Sequence, residues 1–354
     1  MSLRFSFGYH SERSRGIFVF IVYCLLFTVV LSSCGNPDAE KLPTVANDSL
    51  PADVAAINAQ INSDRNNPDL YFQRAKTYFS HRDIENAMSD MKIVLKIDST
   101  KPDYFIFISD LFFAKNKSRD TRNALRKAVS LDTTNAEALM KYSQLFYLLA
   151  KFDTATIYIN RSLHFNNSNP VAHFQKGMIL KEWGDTVKAI SSFQKAVELN
   201  QKYYDAYMQL GILHSVKLNP LALGYFDNAL SIDSKSIEAH YAKGFFLQST
   251  KEYENALNEY KIILELSPEN QDAAFNTGAI LCEQKKYDDA LRNFDITIKR
   301  DKNFFRGYYG RGRCYEAMGQ KQKAIDDYKY CLSIKPNYDL AAIQLDFLER
   351  RGGK

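Results

Sequence analysis

One spacing recurs along most of the chain and limits its architecture more than any single residue does. Gly177, Gly211, Gly244, Gly278 and Gly312 stand 34, 33, 34 and 34 residues apart. Ala155, Ala189, Ala222, Ala256, Ala290 and Ala324 keep the same step, with Ala87 in phase upstream. Self-similarity at this period marks an array of small stacked units. With 22 Tyr and 24 Phe but few Gly and Pro, the composition favours helices with large side chains in their seams. Gly costs a helix interior about 1 kcal/mol relative to Ala, so its regular return needs a packing reason. A small residue where two helices cross lets their axes close to roughly 8–10 Å. Gly on a first helix and Ala on a second are expected to provide that crossing in each hairpin.

Bulky residues fill the positions between. Tyr71, Phe105, Leu139, Tyr207 and Tyr308 hold the fourth place of their repeats, and Tyr78, Phe112, Phe146, Leu180, Leu247, Leu281 and Tyr315 the eleventh. Phe193, Phe226, Tyr260, Phe294 and Tyr328 hold the twenty-fourth. Together with Leu210-Gly211, Ala189, Ala196, Pro268 and Pro336, this pattern resembles the tetratricopeptide repeat family over about 68–338. The resemblance implies an all-α, right-handed superhelical solenoid of about eight helical hairpins. Repeats are expected to start at Pro68, Pro102, Ala136, Pro170, Tyr204, Ile237, Gln271 and Phe305. Asn67-Pro68 and Asn169-Pro170 pair an N-cap with a Pro at the first helical position. The fifth repeat is one residue short, and Ser109 and Thr121 make the second the most divergent. Residues 52–67 are expected to hold a preceding helix, and 339–354 a capping helix and tail.

Solenoids bind along their concave surface, so the resemblance implies a protein partner in the groove lined by the first helices. Position 5 reads Phe72, Ile106, Met140, Phe174, Met208, Tyr241, Phe275 and Tyr309; position 9 reads Lys76, Asp110, Gln144, Met178, Ile212, Phe245, Ala279 and Arg313. The apolar members of position 9 cluster in repeats four to seven, the pattern of a peptide- or helix-binding patch. The expected groove comprises Phe174, Met178, Met208, Ile212, Tyr241, Phe245, Phe275, Tyr309 and Arg313. An aromatic at position 5 can instead pack on the next helix. Position 2 is mostly acidic, with Asp69, Asp103, Glu137, Asp205, Glu238 and Asp272; carboxylates in a first helical turn are favoured by the helix dipole in any case.

Signals for catalysis are missing. No Gly-rich phosphate loop, nucleophile elbow or His-Glu-x-x-His is present, and no His, Cys or carboxylate set has metal-ligand spacing. No cofactor is expected, and the chain reads as a binding scaffold and not an enzyme. His173, His214 and His240 fall at bulky repeat positions and are expected to pack. Cys282, Cys314 and Cys331 lie in the last two repeats; burial as small apolar residues is favoured over a Cys282–Cys314 disulfide.

The first residues carry a different message. Arg4, Arg13 and Arg15 precede the uncharged run Ile17 to Leu31, followed by Leu31-Ser32-Ser33-Cys34. That order reads as a signal peptide over 1–33, and its end resembles the lipobox of bacterial lipoproteins. The resemblance implies cleavage before Cys34 and its acylation, which supplies the several chains that stable anchoring needs. Residues 34–51 then form a polar tether with three Pro. A membrane-anchored protein of the cell envelope follows, with the outer membrane favoured because Gly35 and not Asp follows the Cys. The formal charge of +5 falls to about +3 without the first 33 residues, too little to point to nucleic acid. Two functions remain: a lipid-anchored scaffold for protein partners in a secretion, pilus or outer-membrane assembly, or a module that binds peptidoglycan or polysaccharide. Oligomeric state is not set by the sequence.

Overall fold

The computed structural model describes residues 51–350. The signal peptide, Cys34, nearly all of the tether and the last four residues lie outside the described residues. Helix α1 spans Ala52–Ser63 and buries Val54, Ile57 and Ile61. Eight helix pairs follow: α2 (Pro68–Ser80) with α3 (Ile84–Ile97), α4 (Pro102–Ala114) with α5 (Ser118–Leu131), and α6 (Ala136–Leu148) with α7 (Phe152–Phe165). Next come α8 (Pro170–Glu182) with α9 (Thr186–Leu199), α10 (Tyr204–Ser215) with α11 (Leu221–Ile232), and α12 (Ile237–Ser249) with α13 (Tyr253–Leu266). The last pairs are α14 (Gln271–Glu283) with α15 (Tyr287–Arg300) and α16 (Phe305–Ala317) with α17 (Lys321–Ile334), before α18 (Asp339–Arg350). No strand occurs among the described residues, and no helix there is long and apolar enough to cross a membrane. Each hairpin packs mainly on its neighbours, which makes the described chain an all-helical solenoid.

Local chemistry starts and stops these helices. Asn67, Asn135, Asn169, Ser236 and Asn270 each accept a backbone N–H of the first helical turn through their side chains, satisfying donors a helix leaves unpaired. Every turn inside a hairpin passes through one left-handed residue. These are Arg82, Asn116, Ala150, Gly184, Leu218, Lys251, Lys285 and Gly319, with φ between 50° and 93°. Only two of the eight are Gly, so six turns hold a side chain in a conformation that L-residues disfavour.

The recurring Gly has a sharper reason than the closeness of two helix axes. A Cβ on Gly211 would lie 2.4 Å from the Phe226 ring, and one on Gly177 2.6 Å from Phe193. Gly244, Gly278 and Gly312 meet Tyr260, Phe294 and Tyr328 in the same way. The ring at the twenty-fourth position of the second helix therefore occupies the space that the Gly vacates. The Ala of the second helix is fully buried, as at Ala189 and Ala256, but it is not what fills that space. In the first three repeats the twenty-fourth residue is Met91, Leu125 or Ile159, all buried, and the eighth is Ala75, Ser109 or Ser143. A smaller partner across the hairpin tolerates a larger residue, so paired volume stays nearly constant. Ser143 Oγ donates to the Ala155 carbonyl at 2.8 Å, which satisfies its buried hydroxyl.

A second cross-hairpin rule is polar. Arg74 is bidentate on buried Asp90, Arg311 does the same to Asp327, and Lys243 reaches Glu259 at 2.8 Å. Each joins the seventh residue of a first helix to the twenty-third of a second. His240 completes the sixth-repeat cluster, with Nδ1 2.6 Å from Glu259 and Nε2 3.1 Å from the Ser234 carbonyl. His173 is buried with its Nε2 2.9 Å from the Asn167 carbonyl, and His214 stacks on Tyr225. Burial pushes the His173 and His214 pKa values below the usual imidazole range.

Candidate partner-binding groove

The nine residues read from the sequence divide into two groups. Phe174, Ile212, Tyr241 and Phe245 are half-buried and offer apolar area on α8, α10 and α12. Met178, Met208, Phe275, Tyr309 and Arg313 are buried, with 1–8% of their surface left, and so drop out of an open groove. For Phe275 and Tyr309 the cover comes from the aromatic last residue of the repeat. Phe275 packs edge-on against Phe304, and Tyr309 meets Tyr338 at 5.2 Å between ring centres. Phe174 makes the same kind of contact with Tyr203 at 5.0 Å, but it keeps part of its ring in solvent. Tyr241 has no aromatic at the corresponding place, where Asn270 stands, and instead stacks on Phe245 with the rings 10° from parallel. Arg313 is held under this layer near Glu316 and beside Tyr309.

Charge around the half-buried strip is unevenly compensated. In the first repeat Asp69 receives Lys101 and the Tyr104 hydroxyl, which hold its carboxyl below the usual range. In the seventh, Asp272 receives Arg306 at 2.6 Å, and that guanidinium also covers the Phe275 ring. Between them, Asp205 and Glu238 occupy the same repeat position with no ion pair among the described residues. Burial raises the pKa of both carboxyls, and the charge of Asp205 adds to the rise at Glu238. On the neighbouring helix α8, Lys181 donates to Gln209 Oε1 at 2.9 Å, and burial pulls its pKa down to about 8. The centre of this surface thus joins apolar rings to the partly buried carboxylate of Asp205 and the exposed one of Glu238.

A second concavity was not singled out by the sequence. Phe72, Lys76, Asp103, Ile106, Phe107, Asp110 and Glu137 line a recess of about 230 Å³ over the first three repeats. The Lys76 ammonium lies 4.0 Å from the Phe72 ring centre, and Lys141 bonds Asp110 at 2.7 Å. Burial nevertheless raises the Asp110 pKa. Six of the seven lining residues sit at the same repeat positions, 2, 5 and 9, as the central strip. The available signal was position itself, which a search for apolar character passed over. Among the described residues no three His, Cys, Asp or Glu side chains are grouped to hold a metal ion.

Known proteins resemble the chain in sequence and in fold. Family models described as tetratricopeptide repeat match residues 171–203, 246–291 and 305–338. The BBSome complex member BBS4 of Bos taurus is 28% identical over 116 residues, or 32% of this chain and 22% of that protein. The match thus spans about a fifth of that curated relative's length. Among solved structures, a tetratricopeptide repeat protein from Parabacteroides merdae is 18% identical, with a TM-score of 0.53 over 71% of this chain and 100% of that one. The C-terminal part of a TPR repeat-containing protein from Cytophaga hutchinsonii is 21% identical, with a TM-score of 0.51 over 62% of this chain and 91% of the other. Pseudomonas aeruginosa PilF is 17% identical, with a TM-score of 0.52 over 58% and 94%. At these identities the structural likeness is one of fold.

Proposed function

From the premise that the chain is a tetratricopeptide-repeat protein, we propose that it is a binding scaffold, anchored by acyl chains on Cys34, that docks a protein partner in a cell-envelope assembly. The observation that carries the reading is the strip of Phe174, Ile212, Tyr241 and Phe245. It stays half-exposed while the corresponding residues of the last two repeats are packed away. Half-buried aromatics fixed by their neighbours contribute contact area at small entropic cost. Asp205 and Glu238 beside them fit a partner segment that alternates apolar and basic side chains. Repeats of this family serve protein interaction, and the curated relative is by name a member of a complex. The anchor rests on the order of Arg-rich start, apolar run and Leu31-Ser32-Ser33-Cys34. It places the protein at a membrane of the envelope, with the outer membrane favoured by Gly35. The groove needs no catalyst for this role, and the protein acts by binding.

A photo-crosslinking residue placed at Phe245 in the full chain tests the groove, with one at Lys261 on α13 as the control. The reading expects one or two near-stoichiometric proteins from position 245 and none from 261. Crosslinks to cell-wall fragments alone would favour a peptidoglycan- or polysaccharide-binding module, for which the exposed aromatic rings supply sugar-stacking faces. The anchor is tested separately by labelling with an alkyne fatty acid, which Cys34→Ala should abolish. Label that survives the substitution would refute acylation at Cys34 and leave the groove reading untouched.

A further inference from the structure

The turns that close the hairpins differ in chemistry from the loops that join one hairpin to the next. Each hairpin folds its two helices antiparallel and successive hairpins stack, so the two kinds of loop line opposite edges of the solenoid. Contacts between repeats run along the edge of closing turns. Gln284 in the seventh turn donates to Glu254 at the start of α13 at 2.9 Å, and Lys115 in the second pairs with Glu85 at the start of α3. The closing turns are residues 81–83, 115–117, 149–151, 183–185, 216–220, 250–252, 284–286 and 318–320, and they carry eight basic and three acidic residues. The seven loops between successive hairpins carry four basic and five acidic ones. One edge is therefore cationic and the other is not. Apolar tips interrupt the cationic edge in repeats three to five. Leu149, Trp183, Val216 and Leu218 stand in those turns with 45–64% of their surface exposed, and Val187 and Leu221 follow at 74% and 58%. No other closing turn holds an exposed large apolar residue. Leu218 is also held at a φ of 50°, a conformation that disfavours it, so the fold alone gives no reason for a leucine there.

We propose that this edge lies on an anionic lipid surface, with the apolar tips of repeats three to five entering the interface and the turn lysines meeting lipid phosphates. The order of chemistry along the edge carries the assignment. Lys115 and Lys117 precede the apolar tips, Lys151 and Lys217 stand among them, and Lys285 and Lys286 follow. A bilayer presents the complementary arrangement in depth, with phosphates at the headgroup level and hydrocarbon beneath. Tryptophan favours the boundary between the two, and Trp183 is the chain's single Trp. A row of protruding turns offers no trough to a peptide or a helix, whereas a fluid surface conforms to it. Contiguous apolar exposure of this kind marks an interaction site, and the excess of lysine around it selects a negative partner. The acyl anchor proposed at Cys34 would keep such a surface close, but the edge stands on its own residues.

Trp183 reports on the edge directly. The full chain is reconstituted with vesicles of brominated phosphatidylcholine, with and without phosphatidylglycerol, and its tryptophan emission is recorded. With phosphatidylglycerol present the emission should shift to the blue and fall by about half or more through contact with brominated chains; without it the loss should be smaller. Lys117→Glu with Lys286→Glu, both exposed sites, should erase the difference between the two compositions. Val216→Ser with Leu218→Gly should weaken quenching in both while the helical content is kept. The readout is the surroundings of Trp183, so it does not depend on whether Cys34 is acylated. The assignment is overturned if Trp183 stays unquenched while the chain floats with the vesicles, since the N-terminus alone then holds it, or if the chain does not bind anionic vesicles at all. Quenching indifferent to both pairs of substitutions would also overturn it. So would a blue shift that grows with protein concentration in the absence of lipid, which would give the edge to a second copy of the chain.

Discussion

Gly211→Ala and Gly224→Ala are the same change in one hairpin, yet they should move stability in opposite directions. Gly224 lies inside α11 with no atom within 4 Å of where a Cβ would stand. Its replacement therefore brings only the helix-propensity gain of about 1 kcal/mol. Gly211 lies inside α10, and its Cβ would sit 2.4, 2.6 and 3.0 Å from three atoms of the Phe226 ring. Carbon atoms in contact prefer about 3.5–4.0 Å, so the ring must move by about an ångström. Phe226 retains 1% exposure and cannot swing into solvent. Overpacking of this kind costs about 3 kcal/mol at the upper end of its usual range. Subtracting the propensity gain of about 1 leaves a loss of about 2 kcal/mol, and the two variants should differ by about 3. Amide hydrogen exchange in α10 and α11 reads this locally, which matters because a solenoid need not unfold in one step. Adding Phe226→Leu to Gly211→Ala should recover much of the loss, since the second repeat already pairs Ser109 with Leu125. Equal protection in the two single variants would refute the ring-over-glycine account.

Other substitutions follow from the same contacts. Leu218 holds φ at 50°, so Leu218→Gly should stabilise the fifth repeat by up to about 1 kcal/mol, whereas Gly184→Ala should destabilise the fourth by a similar amount; urea titration compares them. Removing the Asp327 carboxylate by Asp327→Ala leaves Arg311 with only its exposed partner Asp295; a loss of about 2 kcal/mol is expected, visible as a lower urea midpoint. Asp205 and Glu238 have folded pKa values above their unfolded ones, so the folded state binds more protons and stability falls as pH rises through that window. Asp205→Asn with Glu238→Gln should therefore stabilise the chain at neutral pH and have no effect once both carboxyls are protonated; a pH series of melting curves checks the sign. Phe245→Ala should weaken partner binding by about 1–3 kcal/mol with an unchanged melting temperature, measured by calorimetry once the partner is in hand.

The hairpin stack was legible because its signal is steric and local to each repeat. A Gly at the eighth position and a ring at the twenty-fourth are two halves of one volume constraint, and repetition separates that constraint from chance. The sequence pattern did not reveal that the ring lies against the Gly, because Ala and the ring both recur in phase and spacing alone cannot say which of them does. Left-handed turn residues were invisible for a different reason. Ala150, Leu218 and Lys251 adopt a conformation that Gly would mark, and hairpin packing imposes it on residues that carry no such preference. The ion pairs of Arg74, Lys243 and Arg311 with the second helix join residues sixteen apart, a distance no helical periodicity connects.

The groove was harder to read because in the last two repeats exposure at position 5 is removed by a residue 29 places later. Phe275 and Tyr309 close over because Phe304 and Tyr338 cover them, whereas Tyr241, with Asn270 at that place, stacks on Phe245 and stays half-buried. Counting apolar residues down one face therefore overstates the open surface in the last two repeats. The same accounting explains why charge was underestimated. A first-turn carboxylate is favoured by the helix dipole in every repeat, but only neighbours decide whether it is also neutralised. Asp69 has Lys101 from the end of its own repeat and Asp272 has Arg306 from the next one, whereas the charge of Asp205 only adds to the rise at Glu238. Position 2 is thus one motif in sequence and two environments in space. The carboxylates with no ion pair among the described residues, Asp205 and Glu238, stand on the same two helices as half-buried Ile212, Tyr241 and Phe245, which is why charge and apolar area at positions 2, 5 and 9 have to be weighed together.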